Sequence, residues 1–181
     1  THEPIKESEE VDPINVYGLS KYRGEQAIVK YCKKFYIFRI SWVYSEFGSN
    51  FPKTILKLAR EKREIKIVND QYGSPTPTTL ISTVIRKVLI NDLKDVANYG
   101  IYNLSPEEVC SWYDIGLEIL KFLSKQENSV LKRIIPVSSE EFSSVAKRPS
   151  YSYLDNTKLK KTFGINIKNW NYYLNAYLKK V

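Results

Sequence analysis

The chain has 181 residues, 43% of them hydrophobic, which is enough apolar material for a packed core and excludes a wholly disordered polypeptide. No stretch reaches the roughly 20 apolar residues that a transmembrane helix needs. The first twelve residues are acidic and contain no apolar run, so we expect no secretory signal. These features predict a cytoplasmic protein that does not associate with a membrane.

The formal net charge is +8, which raises the question of nucleic-acid binding. Lysine pairs such as 33–34 and 160–161 are scattered along the chain instead of forming one basic block. We therefore expect a lysine-rich surface and no nucleic-acid partner. The two cysteines, Cys32 and Cys110, have no metal-site spacing and are expected to be buried or half-buried thiols in a reducing compartment.

The first predicted elements are a helix and a strand. The helix is expected from Tyr17 onward, and the apolar spacing predicts its buried face. That face would consist of Ala27, Ile28, Tyr31 and Cys32. Residues 35–44 are dense in aromatic and β-branched side chains and predict a strand that is buried on both sides.

The middle of the chain predicts two helices, one strand and a long loop. Asn50 is expected to cap the first helix, with Pro52 in the first turn. Residues 64–68 predict a strand, and 69–78 are too rich in Gly and Pro for regular structure. Residues 80–90 predict an amphipathic helix. Its predicted buried residues are Ile81, Val84, Ile85, Val88 and Leu89.

The last third continues the alternation. Strands are predicted at 100–104 and 133–137, and Ser111 with Asp114 resembles a capping box at the start of a helix. Asp155 is expected to cap a short helix that ends at Phe163. The final helix is expected at 170–180, with three residues facing inward: Leu174, Tyr177 and Leu178.

Helices and strands that alternate predict the α/β class with a largely parallel sheet. A doubly wound dinucleotide-binding fold normally opens with a strand and a Gly-rich turn. This sequence has no G-x-G-x-x-G motif and only about four recognisable strands. We therefore expect that the half of such a fold that holds the cofactor phosphates is absent from the chain.

Tyr17 and Lys21 are the first candidates for chemistry because residues four apart share one helix face. An ammonium close to a phenol stabilises the phenolate, and such a Tyr can exchange a proton with a carbonyl or alcohol oxygen. Tyr and Lys are both frequent here, so the spacing alone favours an ordinary solvent-facing start of a helix.

Several segments together resemble the dTDP-4-dehydrorhamnose reductase family of extended short-chain dehydrogenases. They are residues 13–25, 38–44, 50–54 and 69–76, and Arg148-Pro149 followed by Leu154-Asp155 and Lys158. The resemblance implies a Rossmann-like doubly wound parallel sheet with a small C-terminal substrate-binding region, and with the N-terminal half of the sheet missing. Residues 1–44 would carry the catalytic helix and the next strand. Residues 45–181 would form the substrate-binding region interleaved with late Rossmann elements.

The resemblance also implies an activity, the reduction of dTDP-4-dehydro-L-rhamnose to dTDP-L-rhamnose with NADH or NADPH. Tyr17 would be the general acid, and Lys21 would orient the nicotinamide ribose. A catalytic Ser or Thr would lie before Thr1. The family allows a homodimer and Mg²⁺, although its magnesium ligands do not map onto this chain. We expect the 181 residues alone to be inactive.

Seven further residues are expected at the substrate. Trp42 would contact the sugar, although a core position explains it equally well. Arg148 would bind the diphosphate, against the alternative of an ordinary surface charge. Tyr72 would stack on thymine. The remaining candidates are Asn50, which capping alone would explain, and the loop residues Asp70, Gln71 and Gly73.

Two other functions remain open at this point. Some relatives of the family are non-catalytic partners of methionine adenosyltransferase, so the chain could belong to a regulatory or binding subunit. It could also belong to another nucleotide-sugar reductase or epimerase on the same scaffold. The Tyr17/Lys21 pair favours an enzyme, and the strings at 41–44 and 70–73 favour the rhamnose branch.

Overall fold

The computed structural model describes residues 3–93, 98–125, 129–142 and 147–181. In chain order its elements are α1 (Val16–Tyr31), β1 (Tyr36–Arg39), β2 (Val43–Tyr44), α2 (Phe51–Glu61), β3 (Glu64–Val68), β4 (Tyr72–Gly73), β5 (Thr76–Pro77), α3 (Thr78–Asp92), β6 (Gly100–Asn103), β7 (Cys110–Ser111), α4 (Trp112–Leu123), β8 (Arg133–Val137), α5 (Thr157–Phe163) and α6 (Trp170–Leu178). The alternation of helices and strands expected for the α/β class is present.

The strands of the described residues associate in four pairs. β1 with β6, β2 with β5, and β3 with β8 are parallel, whereas β4 with β7 is antiparallel. In the longest pair Glu64 lies opposite Arg133 and Val68 opposite Val137. Every parallel partner is distant in sequence because a parallel pair needs a crossover connection.

The larger of two hydrophobic cores lies between β3–β8 and three helices, α2, α4 and α6. Ile115 and Ile119 of α4 are fully buried against it, as is Leu174 of α6. Gly116 lets α4 approach the sheet closely, because a Cβ there would lie 2.5 Å from Cδ1 of Ile67. Each buried aliphatic side chain of this kind contributes about 1.5–3 kcal/mol to folding.

The second core joins α3 and α5 to β1–β6. Val84 and Val88 of α3 pack with Leu104 and with Leu159 and Phe163 of α5. Gly164 ends α5 in the left-handed conformation that glycine adopts without strain. The two cores therefore lie on different strand pairs.

Several local predictions are confirmed. β3 and β8 have the predicted limits, and Asn50 caps α2 by accepting a hydrogen bond from the Lys53 backbone. Ser111 and Asp114 form a complete capping box at α4. Short-range hydrogen-bonding rules decide the two caps, so the sequence specifies these caps without help from distant residues.

The predicted buried face of the first helix is wrong for this chain. Ala27, Ile28, Tyr31 and Cys32 are all exposed, and α1 has no buried residue at all. The side chains of α1 that approach the rest of the chain belong instead to Tyr22 and Glu25. The apolar residues are spaced as one face of the helix, but no described element of this chain covers that face. The expectation of a buried or half-buried thiol holds for Cys110 and fails for Cys32.

Two predictions of strand and loop are also wrong. Residues 35–44 form two strands, because Trp42 adopts a φ of 49° and breaks the extended backbone. Residues 69–78 contain β4 and β5, and the stretch from Gly73 to Pro77 is buried. Both short strands form through pairing with distant segments, which local composition does not report.

Smaller differences concern helix faces and ends. α3 buries Leu80, Val84 and Val88, while Ile85 and Leu89 face outward at 37% and 50% exposure. Asp155 accepts a hydrogen bond from the Thr157 backbone although Asn156 is the cap residue of α5. The sequence also indicates irregular structure at 143–153, of which residues 143–146 lie outside the described residues. Among the residues described, no helix has the length and apolar character to cross a bilayer.

Candidate active site

Tyr17 and Lys21 lie side by side on the open face of α1. Asn15 starts this helix by accepting a hydrogen bond from the Gly18 backbone at 2.8 Å. The Lys21 ammonium lies 5.4 Å from the centroid of the Tyr17 ring, and the Tyr17 side chain is 71% exposed. The spacing therefore places both groups on one accessible surface, where they can meet a ligand.

Polar contacts at two places attach α1 to the other described residues. The Asn15 side-chain amide donates to the Lys147 carbonyl at 3.0 Å. Near the middle of the helix, Glu25 accepts two hydrogen bonds from the Arg39 guanidinium of β1. The hydrogen bond to Glu25 raises the pKa of Arg39 despite partial burial, so the guanidinium stays charged.

Trp42 is held in an unusual conformation by a second tryptophan. Its ring stacks on Trp112 with centroids 3.8 Å apart and planes 16° from parallel. Gly73 lies against the same ring, and a Cβ there would come within 2.8 Å of it. A bulky residue with a positive φ costs energy and persists only where its surroundings require it, often at functional sites.

The segment from Lys147 to Ser152 connects the start of α1 to Trp42. Lys147 contacts Asn15, as described above, and the Tyr72 backbone bonds to Ser150 and Ser152 at 2.8 Å each. Tyr72 leaves its ring 41% exposed, and Arg148 is exposed between these contacts. The chain thus brings the first turn of α1, Arg148 and β4 into one continuous region.

Asp70 and Gln71 take part in an internal hydrogen-bond network. The Asp70 carboxylate accepts bonds from both the backbone N–H and the hydroxyl of Ser139. These bonds lower the pKa of Asp70. Gln71 is buried, accepts a bond from the Trp112 indole at 3.2 Å and donates one to Ser139 at 3.0 Å.

Asn50 uses both ends of its side chain within the protein. The carbonyl oxygen caps α2, and the amide donates to the Ser45 carbonyl at 2.6 Å. The structure therefore supplies a structural reason for this residue at the start of α2. The same bonds fix the turn between β2 and α2 beside Phe51.

A cavity of about 410 Å³ opens between α2 and β3. Its wall is mainly apolar, and five polar or charged residues lie among its lining: Thr54, Lys66, Gln71, Ser139 and Arg148. Phe51 and Trp112, whose rings lie 4.7 Å apart, contribute aromatic surface. A concave apolar site with a few convergent polar groups is typical of small-molecule binding.

Trp112, Ser139 and Asn15 were not identified from the sequence as site residues. Asn15 precedes a predicted helix, and its capping preference was an available signal. Trp112 directly follows the predicted cap residue Ser111 and packs against the larger core. Ser139 follows a strand with no local pattern, so only the tertiary structure shows its role.

No group of three or more His, Cys, Asp or Glu residues within the described ranges could hold a metal ion. The Mg²⁺ considered from the family resemblance therefore receives no support from these residues. Burial raises the pKa of the Cys110 thiol, which keeps it protonated and unreactive.

Comparison with known protein families gives one match that extends over the whole chain. Residues 1–181 match the family described as the RmlD substrate binding domain. The chain belongs to this family. The resemblance to dTDP-4-dehydrorhamnose reductases that the sequence motifs suggested is thus confirmed.

Curated relatives of this RmlD-type chain include a spore coat polysaccharide biosynthesis protein, SpsK, of Bacillus subtilis, 35% identical over 178 residues. The dTDP-4-dehydrorhamnose reductase of Escherichia coli K12 is 33% identical over 168 residues. These alignments cover 98% and 92% of the chain but only 59% and 56% of the relatives. The chain therefore spans somewhat more than half the length of these relatives.

Solved structures confirm the Rossmann-like α/β class. A dTDP-4-dehydrorhamnose reductase from Clostridium acetobutylicum superposes with a TM-score of 0.88 at 36% identity, covering 99% of the chain and 60% of that protein. The Bacillus anthracis reductase in complex with NADP gives 0.86 at 33% identity, covering 98% and 60%. A UDP-galactose 4-epimerase, at 17% identity and a TM-score of 0.75, shares the fold alone.

Proposed function

We propose that the complete gene product reduces the 4-keto group of dTDP-4-dehydro-L-rhamnose to dTDP-L-rhamnose, with NADPH or NADH as the reductant. The observation that carries this proposal is the Tyr17/Lys21 pair on an exposed helix face. Membership of the RmlD family supports it, as do relatives that are named dTDP-4-dehydrorhamnose reductase.

The proposed chemistry needs a hydride at C4 of the sugar and a proton at O4. A bound nicotinamide cofactor supplies the hydride and is thereby oxidised. The Tyr17 hydroxyl donates its proton to O4 as the carbonyl becomes an alcohol. Lys21 lies one helical turn away, with its ammonium 5.4 Å from the centroid of the Tyr17 ring, and is placed to bind the nicotinamide ribose. Tyr17 then regains its proton from solvent.

The structural support for cofactor binding comes from Tyr17 and Lys21. Tyr17 and Lys21 are exposed, so both can hydrogen-bond to the ribose of a nicotinamide nucleotide. The 181 residues contain no G-x-G-x-x-G motif for a pyrophosphate. We therefore assign to this chain the nicotinamide-ribose contacts and the dTDP-sugar contacts. Residues 1–44 would carry the catalytic helix and the next strand, and residues 45–181 the substrate-binding region interleaved with late Rossmann elements.

For the substrate, we propose that the cavity between α2 and β3 holds the nucleoside. Its apolar and aromatic wall suits a flat, methylated base. Arg148, exposed within the lining of the same cavity, would pair with the diphosphate. Trp42 would contact the deoxysugar, and Gly73 lies against its ring. The exposed Tyr72 remains our candidate for stacking on thymine.

The remaining substrate candidates fit the proposal less directly. Asn50 and Asp70 have their side chains engaged in internal hydrogen bonds. We propose that they shape the site, with Asn50 fixing the start of α2 and Asp70 anchoring Ser139. The Tyr17/Lys21 pair supports a catalyst over a non-catalytic subunit. We further propose a cytoplasmic enzyme without a nucleic-acid partner; a homodimer is compatible with this function.

The proposal is tested by incubating the complete gene product with dTDP-4-dehydro-L-rhamnose and NADPH or NADH. We expect one reduced cofactor to be consumed for each dTDP-L-rhamnose formed. UDP-galactose, supplied in a parallel reaction, tests the epimerase alternative and should remain unchanged. A folded gene product that binds dTDP but consumes no reduced cofactor would overturn the proposed reaction and favour a binding subunit.

A further inference from the structure

We propose that Gln71 is a positioning residue that fixes Trp112, and that Trp112 in turn holds Trp42 in the orientation used at the sugar. Gln71 would then act on the reaction through these two rings. This inference rests on the proposed function for the role of Trp42 at the sugar. The structural part of the inference is that a hydrogen bond orients a pair of stacked indoles. This part does not depend on the proposed function.

Gln71 is fully committed to internal contacts. Its side chain is 8% exposed. The amide oxygen accepts the indole N–H of Trp112 at 3.2 Å, and the amide nitrogen donates to the Ser139 hydroxyl at 3.0 Å. A buried amide with both ends hydrogen-bonded has one orientation, and it passes that orientation to its partners.

Ser139 gives the network a fixed end. Its backbone N–H and its hydroxyl both bond to the Asp70 carboxylate. Asp70 and Gln71 are neighbours in sequence, so one dipeptide holds both Ser139 and Trp112. Hydrogen bonds to an ionised group are stronger than those between neutral groups, which makes Ser139 a firm support for the Gln71 amide.

Trp112 is the ring on which this network acts. It is the first residue of α4, directly after the capping box formed by Ser111 and Asp114, so its backbone is well defined. Its ring also packs at 4.7 Å from Phe51 in the wall of the cavity. The indole N–H is the only polar atom of the side chain, and its bond to Gln71 selects one ring orientation.

Trp42 depends on Trp112 because its own backbone is strained. At a φ of 49°, the residue stays in place only if packing holds it there. Trp112 supplies the stacking surface at 3.8 Å, and Gly73 leaves the space that the ring needs. Removal of the Gln71 bond frees Trp112 to rotate, and the support of Trp42 is then lost.

Two closely stacked indoles give an exciton couplet in circular dichroism, which provides a test on the 181-residue chain itself. We expect the couplet in the wild type and in Gln26→Met, a matched substitution on the exposed side of α1. Trp112→Phe should abolish it, whereas Trp170→Phe, in α6, should leave it. Gln71→Met should reduce its amplitude by at least half.

Ser139→Ala provides a second variant in case Gln71→Met fails to fold, and a partial loss of the couplet is expected. A full couplet in either folded variant would overturn the inference. A couplet that persists in Trp112→Phe would overturn it as well, because the signal would then come from other residues.

The second measurement separates positioning from direct contact. We expect turnover of the dTDP-sugar by the complete gene product to fall about tenfold in Gln71→Met. In a Trp112→Phe background, Gln71→Met should cause no further loss, because Gln71 acts through Trp112. Losses that add in the double variant would show that Gln71 acts on the substrate directly, against the inference. If the wild type binds dTDP but gives no turnover, the proposed function fails, while the couplet still decides the structural part.

Discussion

The Arg39 guanidinium binds both oxygens of the Glu25 carboxylate, with N···O distances of 2.5 and 2.9 Å. This pair joins the helix that carries Tyr17 to the strand that leads to Trp42. Side-chain exposures of 22% and 14% keep water largely away from it. α1 has no buried residue. The ion pair therefore attaches this helix to the chain, whereas apolar packing attaches the other helices.

Glu25→Gln should therefore destabilise the chain. Both side chains keep part of their exposure, so we expect the free energy of unfolding to fall by about 2 kcal/mol, below the cost of breaking a fully buried pair. Urea denaturation measures the loss. Glu118→Gln is the matched control, since its pair with Lys121 is exposed and 3.4 Å long. Equal effects of the two substitutions would contradict the anchoring role of Glu25.

Tyr17→Phe should remove the proton donor while preserving the surrounding structure. We expect turnover of the complete gene product to fall by about 10²–10⁴, the range for loss of a general acid. Affinity for dTDP should remain within about twofold, since the proposed nucleotide cavity lies elsewhere in the fold. Tyr31→Phe, at the exposed end of the same helix, should keep full turnover. Retained activity in the Tyr17 variant would disprove the assigned role.

Gly73→Ala should push Trp42 out of its stack. The added Cβ would lie 2.8 Å from both the Trp42 ring and the Ser152 hydroxyl. We expect the free energy of unfolding to fall by about 1–3 kcal/mol, as for other overpacked sites. Turnover of the dTDP-sugar should also be slower. Gly24→Ala is the control, because nothing lies within 4 Å of its Cβ. That change in a helix should instead stabilise the chain by about 0.5–1 kcal/mol in thermal unfolding.

Ser139→Ala should give a stability loss that depends on pH. Ser139 lowers the pKa of Asp70 from its ordinary 3.8, so the folded state gains stability above that value and loses it as the pH falls through the lowered pKa. We expect the free energy of unfolding of the variant to be about 1 kcal/mol lower than that of the wild type at neutral pH. This difference should shrink below about pH 4. Chemical denaturation at several pH values measures it. A difference that stays constant into acid would rule out an ionised Asp70 as its source.

The isolated 181-residue chain should bind dTDP and not the cofactor. The proposed nucleotide cavity and Arg148 are both present, whereas a Gly-rich pyrophosphate motif is absent from the sequence. Calorimetric titration of dTDP and of NADPH against the same preparation compares the two. Micromolar affinity for NADPH would refute this prediction, and absence of dTDP binding would refute the assignment of the cavity.

Local rules allowed much of this fold to be predicted from the sequence. In β3 and β8 the apolar residues alternate or cluster over short stretches, and the α4 capping box involves residues three apart. The Tyr17/Lys21 pair belongs to the same class, since helical periodicity alone decides that the two side chains share a face. Where three or four neighbouring residues determine a feature, the sequence reports it.

Features that depend on distant partners could not be predicted. Trp42 carries no local sign of a positive φ, and its conformation results from Trp112, seventy residues away, and from Gly73. β4 exists because β7 pairs with it. Gln71 was expected at the substrate because polar loop residues often bind ligands, and only the tertiary structure shows that its amide is occupied by Trp112 and Ser139.

The sparse attachment of α1 has a consequence for the order in which the molecule becomes structured. An element without buried side chains opens locally at a smaller free-energy cost than the helices of the two cores, so its amides should exchange with deuterium first. The cavity walls are formed by α2, α4 and β3, which belong to the larger core. During refolding, the nucleotide pocket should therefore mature before the proton donor docks beside it.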